Sequence, residues 1–587
     1  MKQIDTTSWI LTLVGLLCLV PFVQPYHPTP ISSLFAEWQA FFLLWTAVFI
    51  ACFHGKRRGE ILIPKIGCSA IFLFFFVVIS VAFKPPEYAQ QVVLPLCYFV
   101  SLYGAIQLGF WLRQMDLVKR CTLWVAIYFV VGGAYTVAVQ FLQLHWTGFS
   151  FLPFITPKMA GYNPYGNIAQ TNHLVSYLAI GWASTHYLLA RGKIKLRVYL
   201  PFSLLLFCGL VMSGQRSGFI YVVSLSFLFW CSALTIHADR ILHRSFWISC
   251  MPATYLLLSY ILPILARVDG AQLVTATQRL GTGWDVRFNM LHIGWSLFKN
   301  APVFGIGWGR LPSYQFLKAD VLPTLPANHL HNIVIQLMAE TGIFCTVIVL
   351  AIFFLWLRTF IKFPSSREKQ FVFSVIIVIG LHSLFEYPLW YAYFLLPVGV
   401  LVGMFEAEGI RLKVPGFLTD IIIKGASILA MAVLFYSFFE ALYVTDLYAR
   451  RSNFPSPTMR VEEVNEIARM PSNFFLKPYV DFIDSTGREF NSGDLSVNTA
   501  LNQRLLNSLI DNNVIVRQSI YWAMAGNNKE AEIAFVRMNK IFPGEAPAML
   551  KVINRAALYG KNDHLTAFSI WASHSAESNR SLLKKAS

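Results

Sequence analysis

The chain has 587 residues, 56% of them hydrophobic and only 13% charged, with fifty phenylalanines and a mean hydropathy of +0.55. That balance is far from that of a soluble globular domain, and it places the protein among polytopic membrane proteins. The net charge of +17 would suit a nucleic-acid binder only if its basic residues clustered on one soluble face.

A spanning helix needs about 20 mostly apolar residues, and such runs recur from Trp9 to Glu440. In chain order they predict spans near 8–23, 35–53, 63–83, 90–111, 121–143, 169–190, 198–213, 217–236, 245–265, 331–357, 371–386, 388–406 and 421–442. The last pair before 421 is divided at Pro388. The expected fold class is an all-α polytopic membrane protein with about 13 transmembrane helices, within a range of roughly 11–13. The first run follows Lys2 but has no small-residue cleavage site in "PFVQPYHPTP", so it reads as a retained span.

Orientation follows from the basic residues. Lys56, Arg57 and Arg58, then Arg113, Lys119 and Arg120, then Arg191, Lys193, Lys195 and Arg197 mark the first three basic connections. Arg240 and Arg244, then Arg358, Lys362, Arg367 and Lys369, then Arg411 and Lys413 mark the next three. The alternate connections hold Lys84, Lys158, Arg216 or no basic residue. Short basic loops stay in the cytoplasm, so the amino terminus is expected inside. The loops around 24–34, 84–90, 144–168, 214–216, 266–330 and 387 are expected to face outward, as is everything after Asp446. Basic residues scattered over cytoplasmic turns leave nucleic acid out as a partner and make the lipid bilayer the expected one. All nine cysteines lie in or beside predicted spans, so no disulfide framework is expected.

These boundaries predict a membrane domain over residues 1–445 and a small outward helical domain over 446–587. In the second, Trp522, Ala523, Ala525 and Gly526, then Ala531, Ala534, Phe535 and Met538, have helical spacing and are closed by Pro543 and Gly544. That pattern predicts a tetratricopeptide-like helical hairpin, although one unit does not establish a repeat. Within the long outward loop 266–330, Trp284, Phe288, Leu291, Trp295 and Phe298 recur at helical spacing. They predict an amphipathic helix on the outer membrane surface, with Arg287 beside its buried stripe and the aromatics packing rather than stacking on a ligand. "FGIGWG" at 304–309 lacks the strand-to-helix setting of a dinucleotide site and reads as a turn.

The outward polar groups gather into one candidate site. Gln170, Asn172 and His173 open the sixth span, Arg216 sits in the turn "MSGQRSGF", and Arg279 and Arg287 lie in the long loop. His329, His331, Asn332 and Gln336 open the tenth span, and Glu386 and Tyr387 close the eleventh. Each has a plainer reading: Arg216 as a snorkelling residue at a turn, His331 as an interfacial helix cap. Two histidines at i and i+2 of a helix point apart, and no third ligand supports a metal. Arginines hold phosphate oxygens bidentately without losing charge, and a neutral imidazole takes a proton from a hydroxyl near neutral pH. The combination suits a glycosyl transfer in which a lipid diphosphate leaves and histidine activates a hydroxyl acceptor, with no cofactor.

The segments "GYNPYGNIAQTNHLVSYLA", "MSGQRSGF", "FNMLHIGWSLFKNAPVFGIGWGR", "HLHNIVIQLMAETG" and "FEYPLWYAYFLLPVG" resemble the bacterial O-antigen ligase (Wzy_C) superfamily. The more specific resemblance is to its PglL-type protein O-oligosaccharyltransferase branch, and "LCLVPFVQPYHPTPISSLFAEWQA" resembles that branch too. The resemblance implies en bloc transfer of a preassembled oligosaccharide from undecaprenyl diphosphate to a Ser or Thr of an exported, often pilin-like, protein, without a metal. It implies an inner-membrane protein with its active site and C-terminal domain in the periplasm. It assigns the essential histidine to His331, the diphosphate-contacting arginines to Arg216 and Arg287, and the branch's glutamine and tyrosine to Gln170 and Tyr387. His329, Asn332 and Arg279 complete the candidate substrate-binding set, and His329 stays open as an alternative base. The resemblance leaves two related readings, an O-antigen ligase acting on lipid A core and a Wzy-type glycan polymerase. A transporter would show polar groups near the bilayer midplane and an internal repeat, neither of which the sequence displays.

Overall fold

The computed structural model describes residues 6–53, 60–145, 153–159, 161–235, 241–268, 270–276, 278–279, 284–322, 326–363, 365–453, 474–490, 493–560 and 562–586. Lys56, Arg57, Arg58 and Arg240, the side chains of Arg244 and Trp284, and most of "RSNFPSPTMRVEEVNEIARM" lie outside the described residues. Each predicted apolar run is largely helical among the described residues. Among the described residues nine helices are long and apolar enough to cross a membrane, and Leu196–Met212, Ser217–Cys231 and Ala392–Gly403 are shorter apolar helices. The predicted division at Pro388 is present: one helix ends at Phe385, a 3-10 turn spans Pro388–Trp390, and the next helix begins at Ala392.

The chain forms two compact units. The first comprises Met1–Phe74, Cys97–Trp284 and Ile348–Phe438. Its centre is the helix Thr171–Ala190, which packs against Val118–His145, Leu196–Met212, Ser217–Thr235 and Arg367–Phe385. A helix surrounded by neighbours buries its whole circumference, and here Leu174 through Leu189 are all buried. Ser176, Ser184, Thr185, His173 and His186 within it keep it less apolar than the lipid-facing helices. Close crossings use small residues, as is usual between membrane helices. A Cβ on Gly403 would lie 2.0 Å from the Ile106 carbonyl oxygen, and one on Gly109 would lie 2.0 Å from that of Val400.

An antiparallel ribbon pairs Glu60–Pro64 with Gly409–Lys413, in the register Glu60 to Lys413 and Pro64 to Gly409. It joins two of the basic turns and is absent from the all-helical expectation. Its alternation is carried by five residues per strand, too few to stand out beside the long apolar runs.

The second unit comprises Phe75–Leu96, Asp285–Val347 and Phe439–Ser587. Its C-terminal part is a succession of helices, Lys477–Gly487, Leu495–Leu506, Asn512–Met524, Asn528–Ile541, Ala546–Gly560 and Asp563–Ala586. The predicted hairpin is the pair Asn512–Met524 and Asn528–Ile541, turned at Gly526 with φ +82°. Ala523, Ala531, Ala534, Phe535 and Met538 are buried between these helices and their neighbours, whereas Ala525 and Gly526 are exposed at the turn. Polar bonds tie these helices to two other segments of the unit: Tyr88 donates to Asp481 at 3.0 Å, and Arg537 pairs with Asp320 at 3.0 Å.

The helix Trp284–Asn300 corrects one expectation. Its protein-facing stripe is Met290, Ile293 and Leu297, with the last two fully buried against Leu330 and Ala339. Phe288 and Trp295 of the predicted stripe are 63% and 44% exposed. The aromatic face therefore points away from the protein, as a lipid-facing stripe would, and does not pack into the core. The sequence displays two apolar stripes on this helix, and the outer one carries the larger aromatic side chains.

Candidate active site

In the first unit the site residues converge on the start of the Thr171 helix. Gln170 precedes it in an extended conformation, after Ala169 at φ +57°. This approach is clamped by buried amides. Asn167 donates to the Val23 and Phe154 carbonyls at 2.7 and 2.8 Å, and Gln143 accepts from the Tyr165 and Gly166 amides at 3.1 and 2.8 Å. Gln215 donates to the Thr171 hydroxyl at 2.7 Å, which brings its neighbour Arg216 to the same end of the helix. Asn172 donates to Glu386 at 2.7 Å, which brings Tyr387 there as well. Tyr387 stacks on Tyr391 with ring centroids 5.8 Å apart, and burial, then the Glu386 carboxylate, raises its phenol pKa. It is a neutral hydroxyl at physiological pH, fit to donate to a sugar or phosphate oxygen.

One expectation in this half changes. His173 is fully buried, with Nδ1 2.8 Å from the Tyr393 hydroxyl and Tyr391 edge-on at 4.5 Å. It is a core histidine, turned inward from the surface to which its position at the outer start of the span assigned it. Arg279 is half-buried in a loop whose Val274 exchanges two bonds with Asn163. That loop also passes over Gly214, where a Cβ would lie 2.2 Å from the Val274 carbonyl oxygen.

In the second unit the histidines precede the helix Ile333–Lys362 rather than opening it. The argument from helical i and i+2 spacing therefore does not apply to them. His331 lies at φ +52°, a left-handed conformation that costs a side chain bearing a Cβ about 1–2 kcal/mol. Bonds on either side hold it there. Asn332 accepts from the Val334 and Ile335 amides, each at 3.1 Å, and caps the helix. Gln336 accepts from the Leu330 amide at 2.8 Å. Glu340, one turn on from Gln336, accepts from the Gly309 amide at 3.1 Å. Gln336 and Glu340 thus form a brace that leads from the His331 segment to the glycine-rich loop.

Arg287 is three residues before Met290 and seven before Gly294 on its helix, hence on the face that packs against this segment. At Gly294 a Cβ would meet Ile335 and Leu330 at 2.3 and 2.7 Å. Gln170, Arg216, Arg279 and Tyr387 belong to the first unit, and Arg287, His329, His331 and Asn332 to the second.

Burial, then the neighbouring His331, pushes the pKa of His329 down to about 4. An unfolded histidine titrates near 6.5. As the pH falls from about 6.5 to about 4, the unfolded chain takes up a proton that the folded chain refuses, so stability falls across that window and is fully present above it. Thermal unfolding in detergent at about pH 7 and about pH 4.5 should show a smaller acid-induced drop in His329→Gln than in wild type. An equal drop in both would remove His329 as a contributor.

Sequence comparison matches residues 201–350 to the family described as O-antigen ligase, a region containing Arg216, Arg279, Arg287, His329, His331 and Asn332. Residues 164–189, with Gln170, match the protein glycosylation ligase family. Residues 370–556, with Tyr387, match the C-terminal region of the virulence factor membrane-bound polymerase family. Among relatives, the general O-oligosaccharyltransferase of Acinetobacter baylyi is 22% identical over 422 residues, covering 68% of this chain and 70% of that protein. The ComP-specific O-oligosaccharyltransferase of the same organism is 24% identical over 406 residues, covering 68% and 71%. The chain thus carries a region similar to the O-antigen ligases. The segment around Gln170 is similar to the protein glycosylation ligases.

Proposed function

We propose that this chain is a metal-independent protein O-oligosaccharyltransferase of the bacterial inner membrane. It transfers a preassembled oligosaccharide en bloc from undecaprenyl diphosphate to a Ser or Thr hydroxyl of exported, pilin-like proteins at the periplasmic face. The observation that carries this reading is that the protein glycosylation ligase segment falls on the braced turn seating Gln170, whose neighbours Thr171 and Asn172 bond Gln215 and Glu386, the residues beside Arg216 and Tyr387. The names of the two Acinetobacter relatives support it.

In the proposed step, His331 accepts the proton of the acceptor hydroxyl as that oxygen attacks the anomeric carbon. The bond from that carbon to the diphosphate oxygen breaks, and undecaprenyl diphosphate leaves with the electron pair. Arg216 and Arg287 hold its growing negative charge, and Gln170 and Tyr387 orient the donor. Asn332 and the Gln336–Glu340 brace fix the backbone from which His331 works. The periplasmic helical domain receives the protein acceptor.

Mass spectrometry of exported proteins from cells with and without this chain tests the reading. The expected result is a glycan mass on Ser or Thr peptides that disappears with the chain and returns with the wild-type gene. The membrane-polymerase match over residues 370–556 makes glycan polymerisation the reading to separate. Unchanged protein glycans with shortened glycan chains would favour a polymerase, and loss of glycan from lipid A core would favour an O-antigen ligase.

A further inference from the structure

Two cations of the second unit have no part in the proposed mechanism. Lys84 follows the helix Cys68–Phe83, and its ammonium donates to the Gly305 carbonyl at 2.8 Å. Arg310 ends the glycine-rich turn, and its guanidinium donates to the Pro85 carbonyl. Each cation thus grips the segment that carries the other.

Between them lies Gly307 at φ +103°, where a Cβ would meet Arg310 Cδ at 3.1 Å and Lys84 Cδ at 3.3 Å. Both side chains are half-buried. Burial, then the charge of Arg310, lowers the pKa of Lys84. Among the described residues neither cation has a carboxylate within ion-pair distance.

Like charges brought this close repel, and folded proteins ordinarily separate them or interleave a carboxylate. The turn beneath is already fixed: the Ile306 and Gly307 amides donate to the Ala339 and Glu340 carbonyls at 2.9 and 3.0 Å, and the Gly309 amide to the Glu340 carboxylate. What remains uncommitted is on the cations themselves. Lysine has three donors and arginine five, and each uses one here. Such a pair on a rigid turn matches the tetrahedral array of oxygens on a phosphoryl group, which arginine engages bidentately and lysine as a point charge. The charge pattern assigns both segments, 84–90 and 266–330, to outward connections at a membrane surface.

We propose that Lys84 and Arg310 form a phosphoryl-binding site, built from residues other than Arg216 and Arg287, that takes the phosphate oxygens of a lipid. Two lipids carry that chemistry: an isoprenyl diphosphate and a phospholipid headgroup. Only assigning the first as the glycan donor rests on the proposed function; the site itself does not.

The test is thermal unfolding of the purified full chain in detergent with farnesyl diphosphate or phosphatidylglycerol, against farnesol and diacylglycerol as phosphate-free controls. The expected result is a rise in Tm with a phosphate-bearing lipid, at least halved in Lys84→Met and Arg310→Gln and kept in Lys84→Arg and Arg310→Lys. A response to farnesyl diphosphate alone identifies the donor as the source, and a response to phosphatidylglycerol alone identifies the headgroup. Equal shifts in wild type and both charge-removing variants overturn the proposal and leave the pair as a clasp between two loops. If either variant melts poorly, native mass spectrometry of its folded fraction reads bound lipid, and undiminished occupancy overturns the proposal equally. No arm of the test requires glycan transfer, so its failure and that of the ligase reading are distinguishable.

Discussion

His331→Ala is expected to lower glycan transfer by about 10²–10⁴-fold, the usual contribution of a positioned general base. The protein should still insert and fold, because the bonds that define the turn come from the neighbours: the Asn332 cap and the Leu330 amide to Gln336. Alanine at φ +52° retains the left-handed strain, so His331→Asn is the informative companion. Asparagine tolerates that conformation better than alanine, and it lacks the imidazole. Equal loss in both variants assigns the effect to the ring; recovery in His331→Asn assigns it to the backbone. His329→Ala is the matched control and should retain transfer within severalfold. Near wild-type transfer by a normally inserted His331→Ala protein would remove the general-base proposal, and a large loss confined to His329→Ala would move the role to His329. Transfer is read as the glycan mass on acceptor peptides, with membrane yield measured alongside.

The sequence carried the membrane helices plainly, because length and hydropathy decide whether a run is helical in lipid. Predicted and observed ends differ by a few residues, as at Leu34–Ala51 and Arg367–Phe385. Less legible was what lies between the helices. Nothing in the spacing of His329 and His331 indicates that the helix starts two residues later, at Ile333; Asn332 was visible as a polar neighbour, and its capping role is a matter of backbone geometry. His173 and Gln170 stand three residues apart, yet one points into the core against Tyr393 and the other stands at the helix entrance. Periodicity cannot separate them, because the Thr171 helix is buried all round and has no polar face for reference. The partners of Asn167, Gln143 and Glu340 are carbonyls and amides distant in sequence, and such bonds leave no mark in side-chain pattern. Asn167 and Gln143 flank apolar stretches, so the available signal was the persistence of amides in apolar surroundings, where an unpaired polar group is costly. Lys84 was read as a sparse charge on an outward loop, and only the fold brings Arg310 to it.

Gly342→Ala is expected to give the largest loss of folded protein of any single-methyl change in the second unit. Gly342 sits inside the helix Ile333–Lys362 at φ +74°, ψ +179°, a region essentially reserved for glycine, where another residue pays about 1–3 kcal/mol in strain. Sterics add to this, since a Cβ would lie 2.2 Å from the Val303 carbonyl oxygen. Relief requires the 301–305 turn to move, which breaks the bonds from the Ile343 amide to the Pro302 carbonyl at 2.8 Å and from the Ile306 amide to the Ala339 carbonyl at 2.9 Å. Those bonds satisfy backbone groups that the helix break leaves without intrahelical partners. The same movement loosens the Gly309–Glu340–Gln336–Leu330 brace, so transfer should fall by more than the loss of folded protein alone predicts. Gly380→Ala is the control: it lies within the helix Arg367–Phe385, nothing approaches within 4 Å of its Cβ position, and alanine there should be neutral or stabilising by up to about 1 kcal/mol. Thermal unfolding in detergent and transfer per folded molecule read the two effects separately. If Gly342→Ala melts with wild type, the helix is continuous in the native protein and the brace cannot depend on the break. If it melts early but transfers normally per folded molecule, the break serves stability alone and His331 is positioned by its local cap.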